Sequence, residues 1–351
     1  MRILFFIHGL YGGGAERVAS ILLNHFCEKH ETYVAVTNFK APFYHLDNRV
    51  HLIDDRIKNK TKGARFIPRF VKMAHTIHKI KPDIIISFLV TGNNKALTAN
   101  FFCGRKIIVS ERNTFKHERS QKQRVLRGIL YPFSDKIVFV TSDDCRKYLF
   151  KNKCITIYNP AMYSSFSNYD NRHKTIITIA PHTRWHSKGL DILLKVWAKI
   201  AYMNPDWDLK IYGRIYHEIP EELTKLTPER ALWASWTDNI DEVLQKASIF
   251  ILASRSEGCP NSLIEAMSQG CACIVTDCEG EPKEMIDNDV DGLVAKSENI
   301  DDIAQKLQML IDDENLRRRL SAGAIEKAKQ FDKNVFFAKW DKLIEEVVTG
   351  K

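Results

Sequence analysis

Two carboxylates, Glu257 and Glu265, bracket the segment Glu257-Gly-Cys-Pro-Asn-Ser-Leu-Ile-Glu265-Ala-Met-Ser-Gln-Gly270. An apolar run of strand length, Ala247–Ser254, precedes it. Asn261–Gln269 follows with the apolar spacing of a helix that Gly270 stops. A strand that breaks into a helix leaves backbone N–H groups unpaired at the helix start, and with the helix dipole these favour an anion such as a phosphate. Glu257 and Glu265 would then accept hydrogen bonds from hydroxyls on either side of that phosphate. This is the outline of a nucleotide-sugar site.

Two cations belong to the same picture. The apolar Thr175–Ala180 runs into Pro181-His-Thr-Arg184-Trp-His-Ser-Lys188-Gly189, and the helical Ile192–Ile200 follows. Arg184 offers a planar fork to a diphosphate and Lys188 a point charge. Singly, such residues are most often solvated surface charges. Together, at strand ends on the edge that carries the Glu257 turn, they point to a ligand. At the start of the chain, a first strand enters Gly12-Gly-Gly-Ala-Glu16, where consecutive glycines would let a ligand approach the backbone. This is not a G-x-G-x-x-G fingerprint, and no ribose-binding acid follows the second strand, so a nicotinamide enzyme is a poor fit.

The elements that must position these residues are short apolar runs alternating with helical patterns. Strands are expected at Ile3–Ile7, Thr32–Thr37, Ile84–Phe88, Lys106–Ser110 and Lys136–Thr141. A second set is expected at Thr175–Ala180, Asp208–Tyr212, Ala231–Ala234, Ser248–Ala253, Ala272–Thr276 and Gly292–Ala295. Strands apolar on both faces and separated by helices indicate parallel sheets covered on both sides. The expected fold class is α/β, with two Rossmann-like domains facing across a cleft. The expected boundaries are residues 1–160, a linker at 161–172 rich in Ser, Tyr and Asn, a second domain at 173–330, and a C-terminal helix in 331–351. That helix, about Asn334–Val348, would return to the first domain. At 351 residues the chain suits two domains rather than one core.

The net charge of +9 hides an asymmetry. Residues 1–160 carry 28 Lys/Arg against 12 Asp/Glu, and the remainder 24 against 31. The first half is therefore expected to meet something anionic. The eight cysteines form no C-x-x-C pair, which fits reduced thiols in a cytosolic protein. No stretch approaches 18 apolar residues, and Met1–Ile7 is too short for a signal peptide and reads as a first strand.

In this order, the motifs closely resemble those of the family 4 retaining glycosyltransferases of GT-B fold. The resemblance rests on the Gly12–Glu16 loop, Lys188-Gly189, the Glu257/Glu265 pair, and Gly280-Glu-Pro-Lys-Glu284 with Asp291-Gly292-Leu-Val. It extends over essentially the whole chain and is strongest over 175–295. It implies that Arg184 and Lys188 bind the donor diphosphate and stabilise its developing charge. Backbone around Cys259, Pro260, Asn261, Ser262 and Leu263 would hold the phosphate and sugar, with Glu257 on the transferred sugar and Glu265 on the ribose. Gly13 and Gly14 would admit the diphosphate to the first domain. The family usually has a Gly before the Arg and one more residue between Arg and Lys-Gly; here Thr183 precedes Arg184. Many relatives carry a His where this chain has Arg112, in Ser110-Glu111-Arg112-Asn113, so Glu111 and Arg112 are acceptor-side candidates.

The catalytic demand is to stabilise a leaving nucleoside diphosphate, which fixed cations can meet. The chain is read as containing no Asp-x-Asp sequence, and so no metal-chelating carboxylate pair of that type, and transfer without metal or cofactor is expected. The donor is expected to be UDP-linked, a hexose or N-acetylhexosamine. On the acceptor side, Arg56–Lys81 holds nine Lys/Arg and no acid, with Phe66, Ile67, Phe70, Met73 and Ile77 at helix-like spacing. Arg112–Arg127 holds six more cations. A basic helix with an apolar face suits an anionic membrane surface; equally, the apolar face could be core and the charges solvated. The resemblance implies an undecaprenyl-diphosphate-linked sugar acceptor and attachment to the cytoplasmic face of a bacterial inner membrane, in surface polysaccharide synthesis such as O-antigen or lipopolysaccharide. Nucleic-acid binding is the rival of another class; it leaves Lys188, Glu257 and Glu265 unexplained and no nucleic-acid partner is expected. A sugar-nucleotide epimerase of the same fold is the other alternative.

Overall fold

The computed structural model describes residues 1–57, 66–112, 120–163, 169–170, 172–213, 218–235, 237, 239–278 and 282–350, without the side chains of 66–69 and 283. Two compact units make up the chain: Met1–Asn159 with Asn334–Lys351, and Pro160–Lys333.

The first unit is a seven-stranded parallel sheet. In chain order it comprises β1 (Arg2–Ile7), α1 (Gly14–Phe26), β2 (Glu31–Val36), β3 (His51–Asp54), α2 (Phe66–Ile80), β4 (Ile84–Phe88), α3 (Val90–Asn100), β5 (Lys106–Ser110), α4 (Gln121–Leu130), β6 (Lys136–Phe139), α5 (Ser142–Lys147) and β7 (Cys154–Thr156). The strand order is β3-β2-β1-β4-β5-β6-β7. The inner strands are apolar across both faces because helices cover both sides. β3 and β7 were not expected from sequence. Each is an edge strand of four or three half-buried residues, too short and too polar to give an apolar run.

The second unit repeats the plan with six strands: β8 (His173–Ile179), α6 (Leu190–Ile200), β9 (Asp208–Gly213), α7 (Glu221–Leu226), β10 (Ala231–Ser235), α8 (Ile240–Lys246), β11 (Ala247–Leu252), α9 (Asn261–Ser268), β12 (Ala272–Thr276), α10 (Pro282–Met285), β13 (Leu293–Ala295), α11 (Ile300–Asp312) and α12 (Glu314–Ala328). Its order is β10-β9-β8-β11-β12-β13, all parallel. The last helix, α13 (Lys333–Thr349), buries Phe336, Trp340, Leu343, Ile344 and Val347 in the core that holds β1 and α1 of the first unit.

In each sheet the strand order reverses beside the first strand, between β1 and β4 and between β8 and β11. The connecting helices diverge to opposite faces there, which opens a crevice outside the carboxyl ends of those strands.

Candidate functional site

In the second unit the loops after β8 and β11 are locked together by backbone fit. Gly189 caps α6 at φ +62°, and a Cβ on it would stand 1.9 Å from the carbonyl oxygen of Ala253. Only a glycine lets the loop carrying Lys188 lie against the end of β11. Lys188 Nζ then donates to Glu257 Oε1 at 2.6 Å. Ser254 Oγ donates to the same oxygen at 2.6 Å, and Thr276 Oγ1 fixes Ser254 by donating to its carbonyl at 2.6 Å. The two charged side chains are only 11% and 6% exposed. At that burial, desolvation offsets much of the Coulomb attraction, and the added hydrogen bond helps hold the pair.

A second clasp joins the same loops. Arg255 forks onto Asp191, with Nη1 to Oδ1 and Nη2 to Oδ2 both at 2.8 Å. Its Nε reaches Glu298 at 2.7 Å and its Nη1 the His186 carbonyl at 2.7 Å. Burial pushes the Asp191 carboxyl up, but the hydrogen bonds and charge of Arg255 outweigh this and hold it below its ordinary value. Sequence reasoning missed Arg255, Ser254 and Thr276. Arg255 and Ser254 lie beside Glu257 but carry no motif of their own, and their partners are distant in sequence.

The remaining candidates of this unit fall around that core. α9 starts at Asn261 behind Pro260 with no side-chain cap, and the Pro260 carbonyl accepts from the N–H groups of Leu263 and Ile264 at 3.0 and 3.3 Å. Cys259, Asn261 and Ser262 are half-buried at this turn, while Pro260 and Leu263 are buried. Leu263 belongs to the interior, so only its backbone is available to a ligand. Glu265 lies one turn further on and is buried. Arg184, in the short 3-10 turn His182–Arg184, is exposed and makes no side-chain hydrogen bond or ion pair with the described residues. Lys188 and Glu257 are thus brought together, and Arg184 stands apart from them. His182, two residues earlier, is buried with no hydrogen-bond partner at either ring nitrogen among the described residues.

The first unit places Gly13 as the cap of α1 and Gly14 as its first residue, again without a side-chain cap. At the β1/β4 switch point lies a cavity of about 390 Å³ whose walls include His8, Thr37, Leu89, Thr91 and Lys95. Next to it, β5 ends in Glu111 and Arg112, both buried. Tyr131 donates its hydroxyl to Glu111 Oε1. Asn93 Nδ2 donates to the same phenol oxygen at 2.8 Å, and Ser87 Oγ donates to Asn93 Oδ1 at 2.6 Å. Burial pushes the Glu111 carboxyl up to about 7, against the hydrogen bond from Tyr131 and the charge of Arg127. Arg112 Nη1 donates to Asn159 Oδ1 at 3.0 Å, and its guanidinium stacks over Phe88 and Trp340. Glu111 is therefore built into a buried network.

Two sequence signals are redrawn. Asp287, Asp289 and Asp291 carry the Asp-x-Asp spacing twice, at odds with the expectation of no chelating pair. Their carboxylates are engaged in the turn before β13: Asp291 Oδ1 accepts from the Asp287 N–H at 2.7 Å, and Lys327 Nζ bonds Asp287 Oδ2 at 2.6 Å. Among the described residues no group of three His, Cys, Asp or Glu side chains could hold a metal ion. The apolar stripe of α2 is also redrawn, because Met73 and Ile77 are buried in the core with Leu4 and Ile85, and Phe70 is partly buried against them. Arg56 pairs with Asp54, and Lys72 Nζ caps the carbonyls of Asp54 and Arg56 at 2.9 Å. Lys58, Lys60, Lys62, Arg65 and the side chains of Phe66, Ile67 and Arg69 lie outside the described residues, as do Gly280, Glu281 and Asn113. No helix among the described residues is long and apolar enough to cross a membrane.

Residues 165–327 match the family Glycosyl transferases group 1. The chain is 27% identical, over 99% of each protein, to the GalNAc-alpha-(1->4)-GalNAc-alpha-(1->3)-diNAcBac-PP-undecaprenol alpha-1,4-N-acetyl-D-galactosaminyltransferase of Campylobacter jejuni. It is 24% identical to the amylovoran biosynthesis glycosyltransferase AmsD of Erwinia amylovora, over 98% of this chain and 99% of that one. Its fold is shared with Anabaena HepE, solved in complex with UDP, at a TM-score of 0.81 and 14% identity over 99% and 100% of the two chains.

Proposed function

We propose that this chain, a GT-B glycosyltransferase with a Glycosyl transferases group 1 domain, transfers a hexose or N-acetylhexosamine from a UDP-linked donor to an undecaprenyl-diphosphate-linked acceptor, with retention and without a metal. The observation that carries the reading is the buried Lys188–Glu257 pair, fixed beside the uncapped start of α9. The name of the Campylobacter relative supplies the class of acceptor, an oligosaccharide on an undecaprenyl-diphosphate carrier.

In this reading the first N–H groups of α9 take up a donor phosphate. Lys188, already desolvated and held by Glu257, faces the charge that grows as the glycosyl bond breaks. A cation in place beforehand needs no reorganisation at that moment, which is where electrostatic catalysis gains most. The C1–O bond breaks with its electron pair on the nucleoside diphosphate. The acceptor hydroxyl oxygen bonds to C1 from the same face, and its proton passes to the departing phosphate oxygen. Glu257 keeps one carboxylate oxygen on Lys188 and Ser254 and turns the other to the sugar; Glu265 takes the ribose, and Arg184 swings from solvent onto the diphosphate. On the first unit, the cavity beside β1 and β4 receives the acceptor, and Arg112 lies next to it. Work on a lipid-linked acceptor implies attachment to the membrane face where that lipid is presented.

Thermal unfolding with UDP, GDP and ADP, each in EDTA, tests this. UDP at about 100 times its dissociation constant should add roughly 2.7 kcal/mol of stability. No shift with any nucleotide overturns the donor site, a shift only with GDP or ADP overturns the UDP assignment, and a shift only after a divalent ion is restored overturns the metal-free reading. Release of free UDP with an unmodified sugar on the acceptor separates transfer from epimerisation.

A further inference from the structure

The burial of α2's apolar residues removes the described part of the surface that the sequence offers to a membrane, and the structure shows another. α4 keeps Leu126 and Leu130 half-buried, yet it also buries Arg127 and exposes Val125 and Ile129, 56% and 58%. Phe133, in the 3-10 turn that continues the helix, completes the i, i+4, i+8 stripe and is 61% exposed. Beside it, the turn after α3 exposes Phe101 and Phe102, 69% and 74%. The rings are in contact: Phe101 meets Phe133 edge-on at 6.0 Å and Phe102 at 5.5 Å, and Phe102 rests on Phe70 of α2 at 5.4 Å. We propose that this face of Phe101, Phe102, Val125, Ile129 and Phe133 inserts into the interfacial layer of an anionic phospholipid bilayer.

The occupant follows from the chemistry of the face. A soluble helix turns its aliphatic side chains inward, as α4 does with Leu126 and Leu130, so the exposed Val125 and Ile129 joined to Phe133, Phe101 and Phe102 mark a surface that meets a non-aqueous phase. Its side chains carry no hydrogen-bonding group, so they gain from hydrocarbon and nothing from a polar partner. The surrounding charge is one-sided. Between Lys95 and Lys136 the chain has ten Lys/Arg and three acids, Glu111, Glu118 and Asp135; Arg112 and Arg127 are buried, and Lys116, Glu118 and Arg119 lie outside the described residues. Glu111 is buried, and Asp135 is paired with Lys106 at 3.2 Å. Lys122 and Arg124 are exposed on α4 itself. An apolar face rimmed by cations fits anionic headgroups over acyl chains. The second unit offers no equivalent among the described residues: its exposed Tyr202, Leu232, Val290 and Met309 are scattered along a half with more acids than bases.

The inference rests on the reading that the enzyme works at a bilayer, and its test is independent of donor and acceptor. The full chain is floated with vesicles of phosphatidylcholine alone and with added phosphatidylglycerol. Binding is expected with the anionic vesicles, and Phe101→Ser with Phe102→Ser should cut the partition at least about tenfold, given what each buried ring contributes. UDP-induced thermal stabilisation in that variant should stay unchanged, so a failed donor reading and a failed membrane reading give different results. Phe133→Trp keeps the face apolar, and its indole emission should shift to the blue on anionic vesicles and be quenched by brominated acyl chains. Wild-type binding by the serine variant, or an indole unmoved by lipid, overturns the proposal. So does a wild-type dimer that the serine variant turns into monomers while vesicle binding persists, because the face would then be self-associating.

Discussion

The two units place a buried glutamate at the same kind of position, just past the carboxyl end of a central strand, and treat it in opposite ways. After β11, Glu257 meets an ammonium, Lys188, and a hydroxyl, Ser254. After β5, Glu111 meets a phenol, Tyr131, itself held by Asn93. Burial pushes the Glu111 carboxyl up to about 7, more than the hydrogen bond from Tyr131 and the charge of Arg127 pull it down. Glu257 instead has a cation in direct contact. Topology therefore fixes where a carboxylate sits, and its partners decide whether the site offers a charge or a proton. In the proposed function the charged version stabilises a leaving group, and the protonated one is a buried post behind Arg112.

The sharpest way to break this contrast is to remove the cation. Lys188→Ala should lower kcat/KM for the donor about 10³-fold, roughly 4 kcal/mol, and should also destabilise the fold by stranding Glu257. Adding Glu257→Gln should recover much of the melting temperature and none of the activity. If the single variant keeps near-normal turnover, Lys188 is structural and the two sites are more alike than proposed.

The next test makes the first unit's glutamate permanently neutral. The folded pKa of Glu111, about 7, lies above its ordinary 4.5, so the folded protein keeps a proton that the unfolded chain has lost. Its contribution to stability is complete below pH 4.5 and is lost as pH rises through about 7, a change on the order of 3 kcal/mol. Glu111→Gln should remove that component, so the stability difference between wild type and variant should slope across pH 4.5–7 and be flat above it. A constant difference over that window would mean that Glu111 titrates in the folded protein as it does in the unfolded chain.

The smallest effect concerns the clasp. Arg255→Lys keeps the charge and loses the fork on Asp191, which should cost about 1–2 kcal/mol of stability and raise the donor KM with little change in kcat. An altered kcat with an unchanged KM would show that Arg255 reaches the reacting centre rather than holding the loops.

Much of this arrangement was legible in the chain. Eleven of the strands, the helix at Asn261 and the placing of Lys188 on the same sheet edge as the Glu257 turn follow from apolar runs, glycines and motif spacing, because a strand–turn–helix unit writes its signal within about twenty residues. The edge strands β3 and β7 did not follow, since half-buried edges need no apolar run. The stripe on α2 illustrates the limit of periodicity. Phe70, Met73 and Ile77 recur at helical spacing whether the face meets a core or a membrane, and only the packing of α2 against the sheet decides for the core.

The sequence by itself determined the alternation of strands and helices, the basic first half, and the residue types at the donor loops. These depend on local spacing and composition, which survive without coordinates. Only the tertiary structure decided that Gly189 must pass within contact of Ala253, that Arg255 bridges Asp191, that Tyr131 bonds the buried Glu111, and that Phe101 and Phe133 share one exposed face. Each joins side chains 20 to 64 residues apart. Distance along the chain says nothing about such pairs; strand order and packing bring them together.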